Sequence, residues 1–440
     1  MRAAIFACVG CAILSGAACE RSAAGHSGSD RLEIIVSGDS VHLSHPPGAP
    51  GASAATGVSP DLRIAGLTHP RDVTRLPGDT LAVLDASDAS VVVLDPRGAR
   101  VREFGGHGRG PGEFLDPYAI ASFGDGLLVV WDRSGRLTVF RPDGTVVATQ
   151  SRVIGDGFAI HQRLPMTVWE EPLQLSREDV TRRLGRIGKN RFALALQRDE
   201  RYDEAFVASG SFHRFPHSVI VFDSLAQVVD TLVSMPGADV SMYRFQGGFI
   251  DGLPRERPYA HRPMWTAGDG WFAYAHGETP SVTVVFDDGR RMVVTWPRRD
   301  WVDREAAFDA YLDWEIEGYR RTKGERAYRS VSRIPRDAWL AEISAPQGDV
   351  GPPQMMGLLG AGPCLAILGF APEDSPHGES TTVVVLNLER GPEVRQFRLL
   401  ATEPGFIRAL ETNAIYYLAV QEDGTRAIER YPVPDGFCEE

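Results

Sequence analysis

Residue types able to do chemistry are present but scattered. Cys8-Val-Gly-Cys11 has the spacing of a redox or metal-binding pair, and His213 and His217 stand at the four-residue separation that lets a helix aim two imidazoles at one metal. Neither survives its context. The cysteine pair lies inside an apolar N-terminal run, where it packs as small hydrophobes, and Pro216 interrupts the helix that the histidines need. Asp85, Asp132, Asp223 and Asp287 recur directly after short apolar runs. Acidic residues converging on one axis would bind a divalent cation, whereas an aspartate ahead of a turn accepts hydrogen bonds from turn amides. The second reading fits their positions, so no metal is assigned. His107 and Arg109 are polar side chains in a glycine-rich run and are the candidate ligand contacts at a rim. Trp265, Trp271, Trp296, Trp301 and Trp314 would stack on sugar if exposed together, or fill a core if not. No HExxH, GxSxG or GxxxxGK[ST] occurs, so no catalytic residue and no cofactor is assigned.

The N-terminus supplies an address. Residues 3–18 are free of charge after Met1-Arg2, too short a run to span a membrane comfortably, and read as a signal peptide over 1–18. Gly16-Ala17-Ala18-Cys19 resembles the bacterial lipobox, in which the cysteine is acylated and becomes the new first residue. That implies a lipid anchor, palmitate included, on Cys19. Glu20 rather than aspartate next to it implies the outer membrane by the sorting rule of enteric bacteria. The alternative is ordinary cleavage, giving a soluble periplasmic or secreted form. With Cys19 assigned, Cys364 and Cys438 remain, either as a disulfide in an oxidising compartment or as two buried thiols.

A formal net charge of −12 repels phosphate backbones and anionic lipid. Nucleic acid is excluded as a generic partner, and the membrane is reached through the anchor alone.

The elements that must position any site are short strands. Residues 19–60 are rich in Ala, Gly, Ser and Pro and read as a flexible tether, apart from residues 32–36, Leu-Glu-Ile-Ile-Val, which could be the strand that closes the last repeat. From residue 61 to 436 apolar runs of four to six residues alternate with Gly, Pro, Asp and Asn. Asp85 and Asp132 are 47 positions apart and Pro96 and Pro142 are 46 apart, a period that marks the blades of a propeller. The expected fold is all-β, a β-propeller of six blades with five or seven as alternatives. A helical insertion is expected near residues 303–323, where Ala307, Tyr311, Leu312, Ile316 and Tyr319 recur at helical spacing, and a long ordered loop at 244–263.

The run Phe104-Gly105-Gly106-His107-Gly108-Arg109-Gly110-Pro111-Gly112-Glu113-Phe114, continued by Trp131-Asp132 and Arg141-Pro142-Asp143-Gly144, resembles an NHL repeat. The resemblance covers about 45 residues and implies a six-bladed propeller in which Gly105, Gly106, Gly108, Gly110, Pro111, Gly112 and Phe114 form the connection between blades. The layout also resembles six-bladed propeller lipoproteins of bacteria. Together these readings give a monomeric, envelope-tethered scaffold whose partner is a protein, peptide or glycan. The competing reading is a propeller hydrolase or lyase, which would need acidic or histidine side chains pointing into the central channel.

Overall fold

The structure is a computed structural model. It describes residues 34–47, 56–151, 184–197, 213–243, 253–256, 261–300, 352–369, 380–389, 393–401, 405–421, 425–433 and 437–438, and parts of 303–337, apart from isolated positions within these ranges. Six four-stranded antiparallel sheets form the blades of a propeller. Blade 1 comprises Pro70–Arg75, Leu81–Asp85, Ser90–Leu94 and Arg100–Gly105, and blade 2 comprises Pro117–Phe123, Leu127–Asp132, Arg136–Phe140 and Val146–Ser151. Blade 3 comprises Leu184–Ile187, Arg191–Gln197, His217–Asp223 and Val228–Met235. Blade 4 comprises Pro263–Gly268, Trp271–His276, Ser281–Phe286 and Arg291–Thr295. Blade 5 comprises Gly357–Ala361, Cys364–Leu368, Ser380–Asn387 and Glu393–Leu400. Blade 6 comprises Gly405–Leu410, Ala414–Val420 and Arg426–Pro432, and takes its fourth strand, Leu62–Ile64, from the N-terminal side of the ring. The all-β, six-bladed expectation holds.

The middle strands carry the apolar runs because both of their faces meet neighbouring blades. Every residue of Leu81–Asp85 and Ser90–Leu94 is buried, whereas the fourth strand Arg100–Gly105 is almost wholly exposed. Phe192 stacks on Phe222 within blade 3 and meets Phe123 of blade 2, so the core is a series of contacts between adjacent sheets.

The N-terminal segment corrects the tether expectation. Ile34–Ser37 pairs with Ser40–Leu43, which adds parallel to the outer strand of blade 4. Thr56–Val58 adds in the same way to blade 5. The strand expected to close the last blade therefore lies on blade 4, and Leu62–Ile64 closes the ring instead. The physical reason is burial. Val41 and Leu43 are 1% and 2% exposed, whereas Ile35 and Val36 are exposed, so the apolar run picked out of the sequence is the outer rib of a strap that covers three sheet edges.

Residues 304–310 are helical, with Asp303 accepting the Ala306 N–H at 2.9 Å as a cap. Phe308 and Leu312 are its buried face. The loop expected at 244–263 is in part a strand: Leu253–Glu256 pairs with Asp239–Tyr243, which also pairs with His213–Arg214. His213 and His217 thus begin two different strands, not one helix.

Candidate functional site

The innermost strands border a channel along the ring axis, and several of them carry polar residues there, as in Pro70–Arg75 with Asp72, Thr74 and Arg75. Their free edges need partners, and neighbouring side chains supply them. Asp72 accepts the Ile120 N–H at 2.9 Å, and Thr74 accepts the Ser122 N–H at 3.1 Å, which stitches blade 1 to blade 2. The channel holds a cavity of about 380 Å³, lined by residues of all six inner strands and, in every blade but blade 3, of the turn that follows. That volume is in the range of small-molecule sites.

The channel mouth on the side of these turns is bare. The turns from first to second strand, and from third to fourth, have at most five residues each. The long connections, 152–183, 198–212, 236–262, 296–356 and 369–379, all attach at the opposite end. One of them is clipped at its base. Gln354 accepts the Arg299 N–H at 2.8 Å and donates to the Arg299 carbonyl at 3.1 Å.

Four charged side chains stand around the mouth. Arg75 of blade 1 donates through Nη1 to Thr412 Oγ1 at 3.0 Å and through Nη2 to Asp79, and its backbone N–H donates to Glu411 of blade 6 at 3.1 Å. Arg186 of blade 3 donates through Nη2 to Asp269 of blade 4 at 2.5 Å. The lining therefore carries Arg75 and Asp72 on blade 1, Arg186 on blade 3, Asp269 on blade 4, and Glu411 and Arg408 on blade 6, with Ser122 of blade 2 and Gly360 of blade 5. Burial pushes the Glu411 carboxyl above the usual range, against the pull of the Arg75 N–H and of the Arg75 and Arg186 guanidinium groups. Burial, then the Glu411 charge, raises the Tyr416 phenol to about 12. The channel also holds Asp72 and the buried Arg408.

The residues singled out from the sequence lie elsewhere. The glycine-rich run occupies the connection from blade 1 to blade 2, at the end away from the mouth. Phe114 is fully buried and rests edge-on against Phe140. Arg136 reaches under the loop and donates to the carbonyls of Arg109 at 3.1 Å and of Glu113. Gly110 N–H donates to Glu113 Oε2 at 2.7 Å. His107 and Arg109 are exposed on this loop and border no part of the channel mouth. Gly105 has φ +107, and a Cβ there would lie 2.9 Å from the Phe114 ring. Asp85 and Asp132 serve backbone amides. Asp85 accepts from Thr68 and His69, and Asp132 from Leu115 and Ser134. Trp265, Trp271 and Trp296 are buried in the core, and Trp301 and Trp314 lie outside the described residues. Cys364 and Cys438 are bonded, with Cα atoms 5.5 Å apart, and Cys19 lies outside the described residues. Among the described residues no group of three His, Cys, Asp or Glu side chains is placed to hold a metal ion.

Arg75, Arg186, Asp269 and Glu411 were not singled out from the sequence. The available signal was their position, at the end of the strand that opens each repeat.

No protein-family model matches the chain, and no curated protein matches it in sequence. Solved structures with a similar fold include a member of the DUF4221 family from Bacteroides vulgatus, at 9% identity over 84% of this chain and 96% of that one, with a TM-score of 0.43. BamB from Moraxella catarrhalis is similar at 11% identity over 92% and 97%, with a TM-score of 0.32. Virginiamycin B lyase from Staphylococcus aureus is similar at 8% identity over 84% and 98%, with a TM-score of 0.36. At these levels the likeness speaks to neither ligand nor reaction.

Proposed function

We propose that the chain is an exported, lipid-anchored propeller that serves as a binding scaffold of the bacterial envelope, held by Cys19, probing its surroundings with one open face. The signal-like N-terminus through Cys19 supports the address, and Glu20 favours the outer membrane as its site. One structural relationship carries the reading. Ser40–Leu43 runs parallel to the outer strand of blade 4, away from the mouth, and Ile34 pairs with Leu43. Ile34 therefore stands at the end of the ring opposite the mouth, and an anchor attached through that end would turn the channel mouth away from the membrane.

The carboxylates of the mouth favour binding over hydrolysis. Asp269 and Glu411 sit on separate blades, and each is already engaged by an arginine or its backbone N–H. They do not share a proton as a catalytic dyad does. His107 and Arg109, on the loop at the tethered end, are assigned to contacts with an envelope protein, peptide or glycan on that side.

The test is the intact mass of the full-length protein made in a bacterium, with and without Cys19→Ala and with globomycin. A diacylglycerol increment that is lost in Cys19→Ala is expected, with globomycin instead leaving the acylated chain uncleaved. An unmodified wild-type chain would replace the anchored scaffold with a soluble secreted protein.

A further inference from the structure

The outer edges of the blades fall into two kinds. In blades 1, 2 and 3 the outer strand pairs with its neighbour through a β-bulge, at Val93/Leu94, at Val139/Phe140 and at two places in blade 3. Among the described residues none of these three edges takes a further strand. In blades 4 and 5 the outer strands Arg291–Thr295 and Glu393–Leu400 run in unbroken register with their neighbours. Those are the two edges onto which the N-terminal segment adds in parallel. A bulge twists an edge away from pairing, whereas a flat edge invites it. The fold thus keeps two strand-receiving edges and occupies both with its own chain.

The occupant is held by few contacts. Ser40–Leu43 meets blade 4 through three registered pairs, Ser40 with Val293, Val41 with Val294 and His42 with Thr295. Thr56–Val58 meets blade 5 through its own short register, from Thr56 with Phe397 to Val58 with Leu399. Parallel pairing is the weaker kind per residue. Blades 4 and 5 already have four antiparallel strands each, so the strap is additional to the ring. Leu62–Ile64 differs, because it is the fourth strand of blade 6. What fixes the strap is side-chain burial. Val41 and Leu43 belong to one apolar cluster with Val294 and Trp296 of blade 4.

We propose that the outer edge of blade 4 is a docking surface for an extended peptide of a partner protein, which enters parallel to Arg291–Thr295 with aliphatic side chains at alternate positions and displaces the strap. The strap shows the chemistry that this seat selects. Val41 and Leu43 are buried and His42 between them is exposed. A competing strand must therefore carry an aliphatic residue at each buried position and a polar one between. A strap peeled from blade 4 leaves an apolar seat, and an incoming strand regains the burial that the strap gives up. Exchange leaves the ring intact, since the four antiparallel strands of blade 4 stay paired. The docking surface is on the outer wall of the ring, apart from the channel mouth, and goes beyond the anchored-scaffold reading.

The experiment uses detergent-solubilised full-length protein and a fluorescein-labelled peptide with the sequence of residues 38–44, read by fluorescence anisotropy. Val41→Asp places a charge at a position 1% exposed and frees the seat. The peptide is expected to bind this variant saturably and at least tenfold more tightly than wild type. A peptide of the same composition in reversed sequence is expected to bind at least tenfold more weakly, because the seat takes a parallel strand. Equal binding of the two peptides, equal binding to wild type and variant, or no saturable binding to the variant overturns the proposal. Hydrogen exchange of the wild-type protein tests it independently of how the variant folds. Amides of residues 40–43 are expected to exchange at least tenfold faster than those of Trp271–His276 in the same blade. Equal protection would mean that the strap does not leave its seat, which also overturns the proposal. Neither measurement depends on export or acylation, so failure here is distinct from failure of the anchored-scaffold reading, which the intact mass reports.

Discussion

Arg63 and Glu429 meet at 2.5 Å where the N-terminal strand joins the last blade. They face each other in register, and Glu429 is fully buried, with its second oxygen accepting the Tyr431 hydroxyl at 2.7 Å. Arg63 is the guanidinium that the closing strand itself brings to that buried carboxylate. Arg63→Met keeps the aliphatic stem and removes the charge. It is expected to cost about 1–3 kcal/mol, less than the loss of a fully buried pair because Arg63 is a third exposed. A shift of the denaturant midpoint measures it, and an unchanged midpoint would mean the latch contributes nothing.

The connection between blades 1 and 2 depends on backbone geometry. Gly105 combines φ +107 with close contact to Phe114 and to the Ala89 carbonyl. Gly105→Ala is expected to destabilise by about 2–4 kcal/mol, from left-handed strain and displacement of a buried ring. Gly106, with nothing near its added Cβ, has strain alone, so Gly106→Ala should cost less. Thermal melts of the two variants decide the order.

The bond from Cys364 to Cys438 closes a loop of 74 residues. Loop-closure entropy gives about 4 kcal/mol for such a cross-link. The Cys364→Ser/Cys438→Ser variant is expected to melt lower than wild type under non-reducing conditions. The two should converge when wild type is reduced, and a gap that persists under reductant would point to packing rather than the bond.

Stability should fall on acidification partly through one histidine. Burial, then the charges of Arg426 and Arg71, holds the His69 imidazole at about 4. Its ordinary value is 6.5, so between those values the unfolded chain binds a proton that the folded chain refuses. The contribution is complete above pH 6.5 and is lost as pH falls toward 4. In His69→Gln the decline in melting temperature over that window should be shallower than in wild type. Parallel curves would remove His69 from the account.

The blade pattern was legible where strands are buried on both faces. Runs such as Val91-Val92-Val93-Leu94 and Ile415 to Val420 appear in the sequence as unbroken apolar stretches, and the structure places them in the middle of their sheets. The innermost strands were not legible for the same physical reason. Pro70–Arg75 reads Pro-Arg-Asp-Val-Thr-Arg, because one side of it borders the channel and its edge is hydrogen-bonded by side chains. A search for apolar runs passes over such a strand, and with it Arg75 and Arg186. The strap was misread because its buried positions, Val41 and Leu43, alternate with polar residues, while the adjacent apolar pair Ile35-Val36 is exposed. Asp85 and Asp132 were placed by their turn context, and both serve backbone amides as that context implies.

The seam of Arg63 and Glu429 joins positions 366 residues apart. The segment that completes the ring is among the earliest to be synthesised, and its partner blade is among the latest. Blade 6 lacks its fourth strand until the two meet, so the edge of Arg426–Pro432 stays open until then. Assembly is thus set to finish only after the last blade has been synthesised. Contacts of such long range make that final step slow. The interval in which the strand edge stands uncovered is when a holding factor, or a neighbouring unfinished copy, has its opportunity to capture the chain.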